Sequence, residues 1–272
     1  MTSTVGRAGA TAFRALHHDT GGSGTPLVLP NAWDHASAAA LAAAGFAAVG
    51  TTSLGVAAAA GLPDGAGRTR EETLRLARLL GGGAFLLSAD AEGGFSDDPA
   101  EVAAFAAELA EAGAVGVNLE DGRADGSLTP PRLHATKIAA VKAAVPWLFV
   151  NARTDTYWLR QGREAETAAR LAAYRDAGAD GVFVPGVTDP DGIAAAVAAT
   201  DLPLNVLASP GGQTLARLAE LGVRRVSLGS LLFRAALGAA VHTVLTLRAD
   251  GVLPPLPQTP DYASVQALTA SG

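Results

Sequence analysis

Ala112-Gly-Ala-Val-Gly-Val-Asn-Leu-Glu-Asp-Gly122 is the stretch from which the fold can be read. Its Ala-Gly pair closes an alanine-rich helical segment, because glycine takes the left-handed conformation that ends a helix. The apolar run 116–119 then reads as a short buried strand. Glu120 and Asp121 stand directly beyond it, before Gly122. The same order recurs where Ala44-Gly45, Ala177-Gly178 and Leu221-Gly222 precede other apolar runs. Strands are expected near 27–29, 47–50, 84–87, 116–119, 148–150, 181–184, 204–207 and 225–228. Helices are expected near 35–44, 70–80, 99–112, 132–144, 163–177, 191–199, 214–221 and 231–247, with Asp98-Pro99 and Asp189-Pro190 as helix starts. Eight strand-then-helix units close a parallel (β/α)8 barrel of the TIM type. An open doubly wound sheet alternates its elements in the same way, but no Gly-X-Gly-X-X-Gly turn follows the first strand. The reading is one α/β-barrel domain over residues 1–272, with the barrel at about 26–247 and a helical tail at 248–272.

Composition narrows the function. The 272 residues are 49% hydrophobic, 17% charged and carry a net charge of −6. That content fills a large core, and the negative charge excludes a general nucleic-acid surface, which needs a basic stripe. Cysteine is absent, which excludes disulfides, cysteine-ligated zinc and a cysteine nucleophile. Residues 1–25 are rich in Gly, Ser and Thr without an apolar core, so no signal peptide is expected. Alanine-rich runs such as 36–44 are short, so no membrane span is expected either. A soluble, cytoplasmic protein is the expectation. Lys137 and Lys142 are the only lysines, and both fall on the predicted helix 132–144. A Schiff-base lysine at a barrel mouth is therefore improbable chemistry for this chain.

Acidic residues cluster beyond the strands: Asp64, then Asp90 and Glu92 in Ser88-Ala-Asp-Ala-Glu-Gly-Gly94, then Glu120 and Asp121. Like charges held close raise each other's pKa unless a cation compensates. Oxygen-only ligands suit a hard ion, Mg²⁺ with Mn²⁺ as the alternative. Asp90 and Glu92 share a strand parity, so both are expected to face one cavity; helix-capping acids in a solvated loop are the competing reading. Arg153 in Asn151-Ala-Arg-Thr-Asp155 is expected to grip a substrate anion through parallel hydrogen bonds; a salt bridge to an acid such as Glu120 is the competing reading, and both can hold at once. Asp155 is expected to orient Arg153 or the loop, and Asp121 to serve its own loop. Thr52-Ser53-Leu54-Gly55 can offer hydroxyls and N–H groups to an anion. His17, His18 and His134 are expected at the surface.

Taken together, Thr51-Thr-Ser-Leu54, Gly61-Leu-Pro-Asp64, Asp90-Ala-Glu-Gly-Gly94, Asn118-Leu-Glu-Asp121 and Asn151-Ala-Arg-Thr-Asp155 resemble the isocitrate lyase / phosphoenolpyruvate mutase superfamily. The resemblance runs from about residue 30 to 237 and implies an α/β barrel. It implies Asp90 as the direct Mg²⁺ ligand, with Asp64, Glu92 and Glu120 holding the metal's waters. Arg153 and Glu120 are the implied catalytic residues. Thr52, Ser53 and Leu54, with Arg153, would bind the substrate. The implied activity is a lyase or hydrolase cleaving a C–C or P–C bond of a small 2-oxo-acid-related substrate through a metal-stabilised enolate. Mutase-like phosphoryl transfer and a non-catalytic barrel binding metal and oxo acid are the alternatives. The lid, Gly122-Arg-Ala-Asp-Gly-Ser-Leu-Thr129, departs from the pattern: it lacks the Lys, Cys and His of the lyase branches and the Lys and Asn of the mutase branches. Asp125 and Ser127 are what it offers as a general acid. The expected partners are a small anionic substrate and a second copy in a homodimer or homotetramer, with the tail on a neighbour or on its own barrel.

Overall fold

Pro30 divides the first barrel strand into β1 (Leu27–Leu29) and β2 (Asn31–Ala32). Proline has no N–H to give a ladder, but its carbonyl accepts from Gly50 N at 2.8 Å and keeps the strand seated. The computed structural model describes residues 2–18, 24–159 and 164–269. The remaining strands are β3 (Ala48–Thr51), β4 (Leu86–Asp90), β5 (Ala114–Glu120), β6 (Phe149–Arg153), β7 (Gly181–Phe183), β8 (Leu204–Leu207) and β9 (Arg225–Ser227). All pair in parallel, in the order β1-β9-β8-β7-β6-β5-β4-β3-β2. The two halves of the first strand thus meet the last and the second strands and close the barrel.

Helices alternate with the strands: α2 (His35–Ala43), α4 (Arg70–Leu80), α5 (Pro99–Glu111), α6 (Pro131–Ala144), α7 (Glu164–Asp176), α8 (Pro190–Ala198), α9 (Leu215–Glu220) and α10 (Leu231–Asp250). Asp98 and Asp189 cap α5 and α8 by accepting from Ala100 N and Gly192 N, as the Asp-Pro pairs imply. Gly113 sits at φ 104, and a Cβ there would meet Gly81 O at 2.5 Å, so glycine is required. Between the strands and this helical layer lies the main core, which includes Leu74, Leu87, Phe105, Leu109, Val117, Ile138 and Val150.

Two short helices complete the mouth and tail: α3 (Ser53–Ala59) and α11 (Tyr262–Ala267). One long helix was not expected. α1 (Thr2–His18) lies across the N-terminal ends of the strands, where Ala10 and Phe13 join Leu29, Ala48, Val115 and Phe149 in a buried cluster. Its glycines explain both the close packing and the misreading. A Cβ on Gly6 would meet Trp147 at 2.8 Å, and one on Gly9 would meet Val115 at 2.8 Å. Glycines that make the segment look like a loop are what let the helix approach the barrel. Arg14 fastens it by a 2.6 Å ion pair to Asp180, which also takes Lys142 at 2.7 Å.

Two histidines expected at the surface are buried. His17 stacks on Phe149 with ring centroids 4.3 Å apart, and His134 lies edge-on to Tyr174. Burial pushes each imidazole down to about 3.

α10 corrects another expectation. It is the one helix among the described residues long and apolar enough, by length and composition, to cross a membrane. Phe233 is its buried residue, packed edge-on to Trp33, while Leu237, Val241, Val244 and Leu245 are exposed. Farther on, α11 lies beside its own α2 and α4 across an apolar cavity of 820 Å³.

Candidate active site

At the C-terminal ends of the strands a cavity of 310 Å³ opens. Asn31, Thr52, Ser53, Leu54, Asp64, Asp90, Glu120, Arg153 and Asp155 all reach it, so the ends of five neighbouring strands, β2 to β6, converge on one mouth. Register explains the convergence: Asp90 is level with Asn118, and Glu120 with Arg153.

Thr51 and Ser53 position Asp90. The Thr51 hydroxyl accepts from Asp90 N at 2.8 Å, and Ser53 N donates to Asp90 Oδ2 at 3.2 Å. Thr52 is extended immediately before α3 begins, which leaves Ser53 N outside the helical ladder and available to the carboxylate. Arg153 is gripped from two sides. Nε and Nη2 donate to Asp155 at 2.6 and 3.0 Å, and Nη1 lies 2.7 Å from Glu120 Oε2. Both sequence readings of its neighbours therefore hold: Asp155 orients it and Glu120 pairs with it. Each terminal nitrogen keeps a second N–H.

Electrostatics at the mouth favour a cation. Burial raises Asp90, with Arg153 and Ser53 N working against the shift and Asp64 adding to it. Burial raises Glu120 well above the usual range despite Arg153, and Asp155 and Asp90 add to it. Asp155 is raised by burial too, even with Arg153 beside it. Burial also works against the Arg153 charge, but Glu120 and Asp155 outweigh it and the guanidinium is held more firmly than a free arginine. Four carboxylates, from Asp64, Asp90, Glu120 and Asp155, thus line the cavity against the guanidinia of Arg153 and Arg123. Among the described residues no three acids or histidines approach closely enough to ligate one ion together. Mg²⁺ is bound through one or two carboxylates while keeping several waters. A single direct ligand, Asp90, with acids at one remove therefore fits this donor set.

Glu92 does not share that cavity. It sits at φ 46, and this left-handed turn breaks the parity that would have aimed it with Asp90. Its carboxylate accepts instead from the Thr69 hydroxyl and from Gly67 N, and so fastens the loop that carries Asp64. Asp121 is fully buried behind the site. It accepts from Asp155 N at 2.8 Å, Tyr174 OH at 2.6 Å and Arg170 Nη1 at 3.0 Å. Its role is to fix the backbone of the residue that orients Arg153.

The lid closes on itself through a Gly122–Leu128 bridge and an Arg123 N to Ser127 O bond of 3.0 Å. Asp125 and Ser127 lie outside the cavity lining and bond to one another at 2.6 Å. That hydroxyl lowers the Asp125 pKa, the opposite of what a general acid needs.

A polar layer beneath the mouth escaped sequence reasoning. Arg225 is fully buried and pushed down to about 9 by burial, with Asp90 working the other way. It donates to Asn118 Oδ1 at 3.2 Å, which also takes Asn151 Nδ2 at 2.9 Å. The alternation of Arg225 with Ser227 across Val226 was the available signal, since period two puts both on the inner face. Arg123 was missed as well, although it is the only cation of the lid.

A parallel α/β barrel whose mouth gathers carboxylates around one clamped arginine has the layout of a barrel enzyme, with its site at the C-terminal ends of the strands. The chain belongs to the phosphoenolpyruvate phosphomutase family, whose model matches residues 13–248. It is 46% identical to an uncharacterised protein of Mycobacterium tuberculosis (strain ATCC 25618 / H37Rv) over 256 residues, which are 94% of this chain and 95% of that one. The crystal structure of a lyase/mutase of provisional assignment from Burkholderia cenocepacia J2315 superposes with a TM-score of 0.89 at 38% identity, covering 98% of each chain. That of 2,3-dimethylmalate lyase, described as a member of the PEP mutase/isocitrate lyase superfamily, gives 0.83 at 25% identity over 96% of this chain and 95% of that one. The superfamily includes lyases and mutases.

Proposed function

We propose that this protein is a Mg²⁺-dependent lyase or hydrolase that breaks a C–C or P–C bond of a small 2-oxo-acid-related substrate by way of an enolate. The observation that carries this reading is Asp90: a buried carboxylate facing a cavity, pushed toward protonation, with Asp64 and Glu120 on the same walls. When bound, Mg²⁺ supplies Lewis-acid stabilisation of the negative charge that builds on the 2-oxo oxygen, and Mn²⁺ substitutes for it. Asp90 is the direct ligand; Asp64 and Glu120 act through its waters, and Glu92 acts by holding the Asp64 loop. Thr52, Ser53 and Leu54 receive the substrate carboxylate through hydroxyl and backbone N–H groups. Arg153, fixed by Glu120 and Asp155, offers its remaining N–H groups to the part of the substrate that leaves or accepts charge. Phe183 and Leu207 close one wall with apolar surface, which limits water at the reacting atoms.

Calorimetry with oxalate, a planar mimic of the enolate, tests the reading: binding should require Mg²⁺ and disappear in Asp90→Ala. The exposed, charged Asp125 favours a second reading, a barrel that binds metal and oxo acid without turnover. Oxalate binding without any turnover of oxo acids is the outcome that supports it.

The whole chain is read as one barrel domain with a tail, working in the cytoplasm as a homodimer or homotetramer. The exposed apolar face of α10 supports assembly: Leu237, Val241 and Val244 recur at helical spacing and need a cover.

A further inference from the structure

Among the described residues, Arg153 and Arg123 are the two cations that line the cavity, and they are held in opposite ways. The Arg153 side chain is 16% exposed and its partners Glu120 and Asp155 are 12% and 5% exposed. Moving it away would strand two buried carboxylates. Arg123 is 34% exposed, and its partner Asp97 is 56% exposed. Its Nη2 donates to both Asp97 oxygens at 2.9 and 2.8 Å, and its Nε to Thr129 Oγ1 at 3.1 Å. Exposed ion pairs of this kind contribute little and exchange readily.

Asp97 has a second partner. Lys137, 3% exposed on α6, lies 3.0 Å from Asp97 Oδ1 and also donates to Gly93 O at 3.1 Å. Lys137 foremost, then Arg123, holds the Asp97 carboxyl below its usual range. If Arg123 leaves, Asp97 keeps Lys137 and Lys137 keeps Asp97, so no buried charge is left bare. The arrangement stores one guanidinium at the rim of the cavity and makes its release cheap.

We infer that Arg123 is the lid's substrate ligand, kept on Asp97 in the free protein and transferred to the second anionic group of a dianionic substrate. This rests on the proposed reading of the mouth, in which Thr52 and Ser53 receive the first carboxylate. Those residues follow β3, and Arg123 follows β5, with β4 between them. Two strand spacings put the backbones that carry these groups about 10 Å apart. A chain with acid groups at both ends bridges them. The lid, whose Asp125 and Ser127 lie outside the cavity lining, thus selects charge instead.

Calorimetry in Mg²⁺ with a matched pair of ligands tests this. Malate and 2-hydroxybutyrate share the 2-hydroxy acid end and differ by a carboxylate against a methyl at the other; oxalate reports the metal end alone. The native protein should prefer malate by about tenfold, the scale of one charge-assisted contact. Arg123→Gln should reduce the preference to within about twofold while oxalate affinity is retained, and Asp97→Asn should strengthen malate binding without altering 2-hydroxybutyrate. Thermal melting checks that both variants fold. Loss of oxalate binding in the native protein would overturn the reading of the mouth itself. Normal oxalate binding with no malate preference, or a preference that survives Arg123→Gln, would overturn this inference alone.

Discussion

Arg153 Nη1 lies 2.7 Å from Glu120 Oε2, on neighbouring strands whose register puts the two residues level. The guanidinium's other edge is taken by Asp155, so one cation serves two buried carboxylates while facing a cavity. Arg153→Ala should lower stability by about 3–5 kcal/mol, because it leaves both acids without a counter-charge. Arg153→Lys keeps the charge but loses the parallel bonds, so it should melt near the native temperature while kcat/KM falls at least tenfold. Equal melting of the two variants would contradict the pairing.

The mouth was legible in the sequence because strand-end position survives errors in strand boundaries. Asp90, Glu120 and Arg153 stood directly beyond apolar runs, and the barrel put them together. Glu92 was misplaced because alternation assumes extended backbone, and φ 46 is not extended. α1 was invisible for a different reason: glycine lowers helix propensity, and only the packing of Gly6 and Gly9 on Trp147 and Val115 repays it. Arg225 was passed over because a fully buried arginine is rare; only the closed barrel makes its strand face an interior.

The floor of the barrel should depend on Phe13, which is fully buried and whose ring would touch a Cβ on Gly116 at 2.7 Å. Phe13→Ala should cost about 3–5 kcal/mol in urea unfolding. Gly116→Ala should destabilise through the same contact from the opposite side. A cost under about 1 kcal/mol for Phe13→Ala would mean that α1 does not plug the barrel in solution.

His17 and His134 predict acid sensitivity. The folded state holds both imidazoles near 3, while the unfolded chain protonates them near 6.5. Between those values the unfolded state binds more protons, so their contribution is complete above pH 6.5 and is lost as pH falls toward 3. Each histidine contributes a slope of about 1.4 kcal/mol per pH unit in that window. Asp90 and Glu120 act with the opposite sign, since burial raises them in the folded state. The slope must therefore be isolated by difference: His134→Gln should flatten the stability curve between pH 6 and 4 relative to the native protein. Parallel curves would contradict the burial of this ring.

The uncovered face of α10 predicts assembly. Light scattering at micromolar concentration should give a dimer or tetramer, and Val241→Asp, on a residue 59% exposed, should shift it toward monomer. A native monomer would leave that face without its proposed cover.

Enolate chemistry at Asp90 is the central claim, and proton exchange measures it most directly. Pyruvate incubated with the protein and Mg²⁺ in D₂O should lose its methyl proton signal in the NMR spectrum faster than with Mg²⁺ alone. The acceleration should vanish on chelation and in Asp90→Ala. Exchange no faster than the protein-free control, in protein that still binds oxalate, would contradict the account.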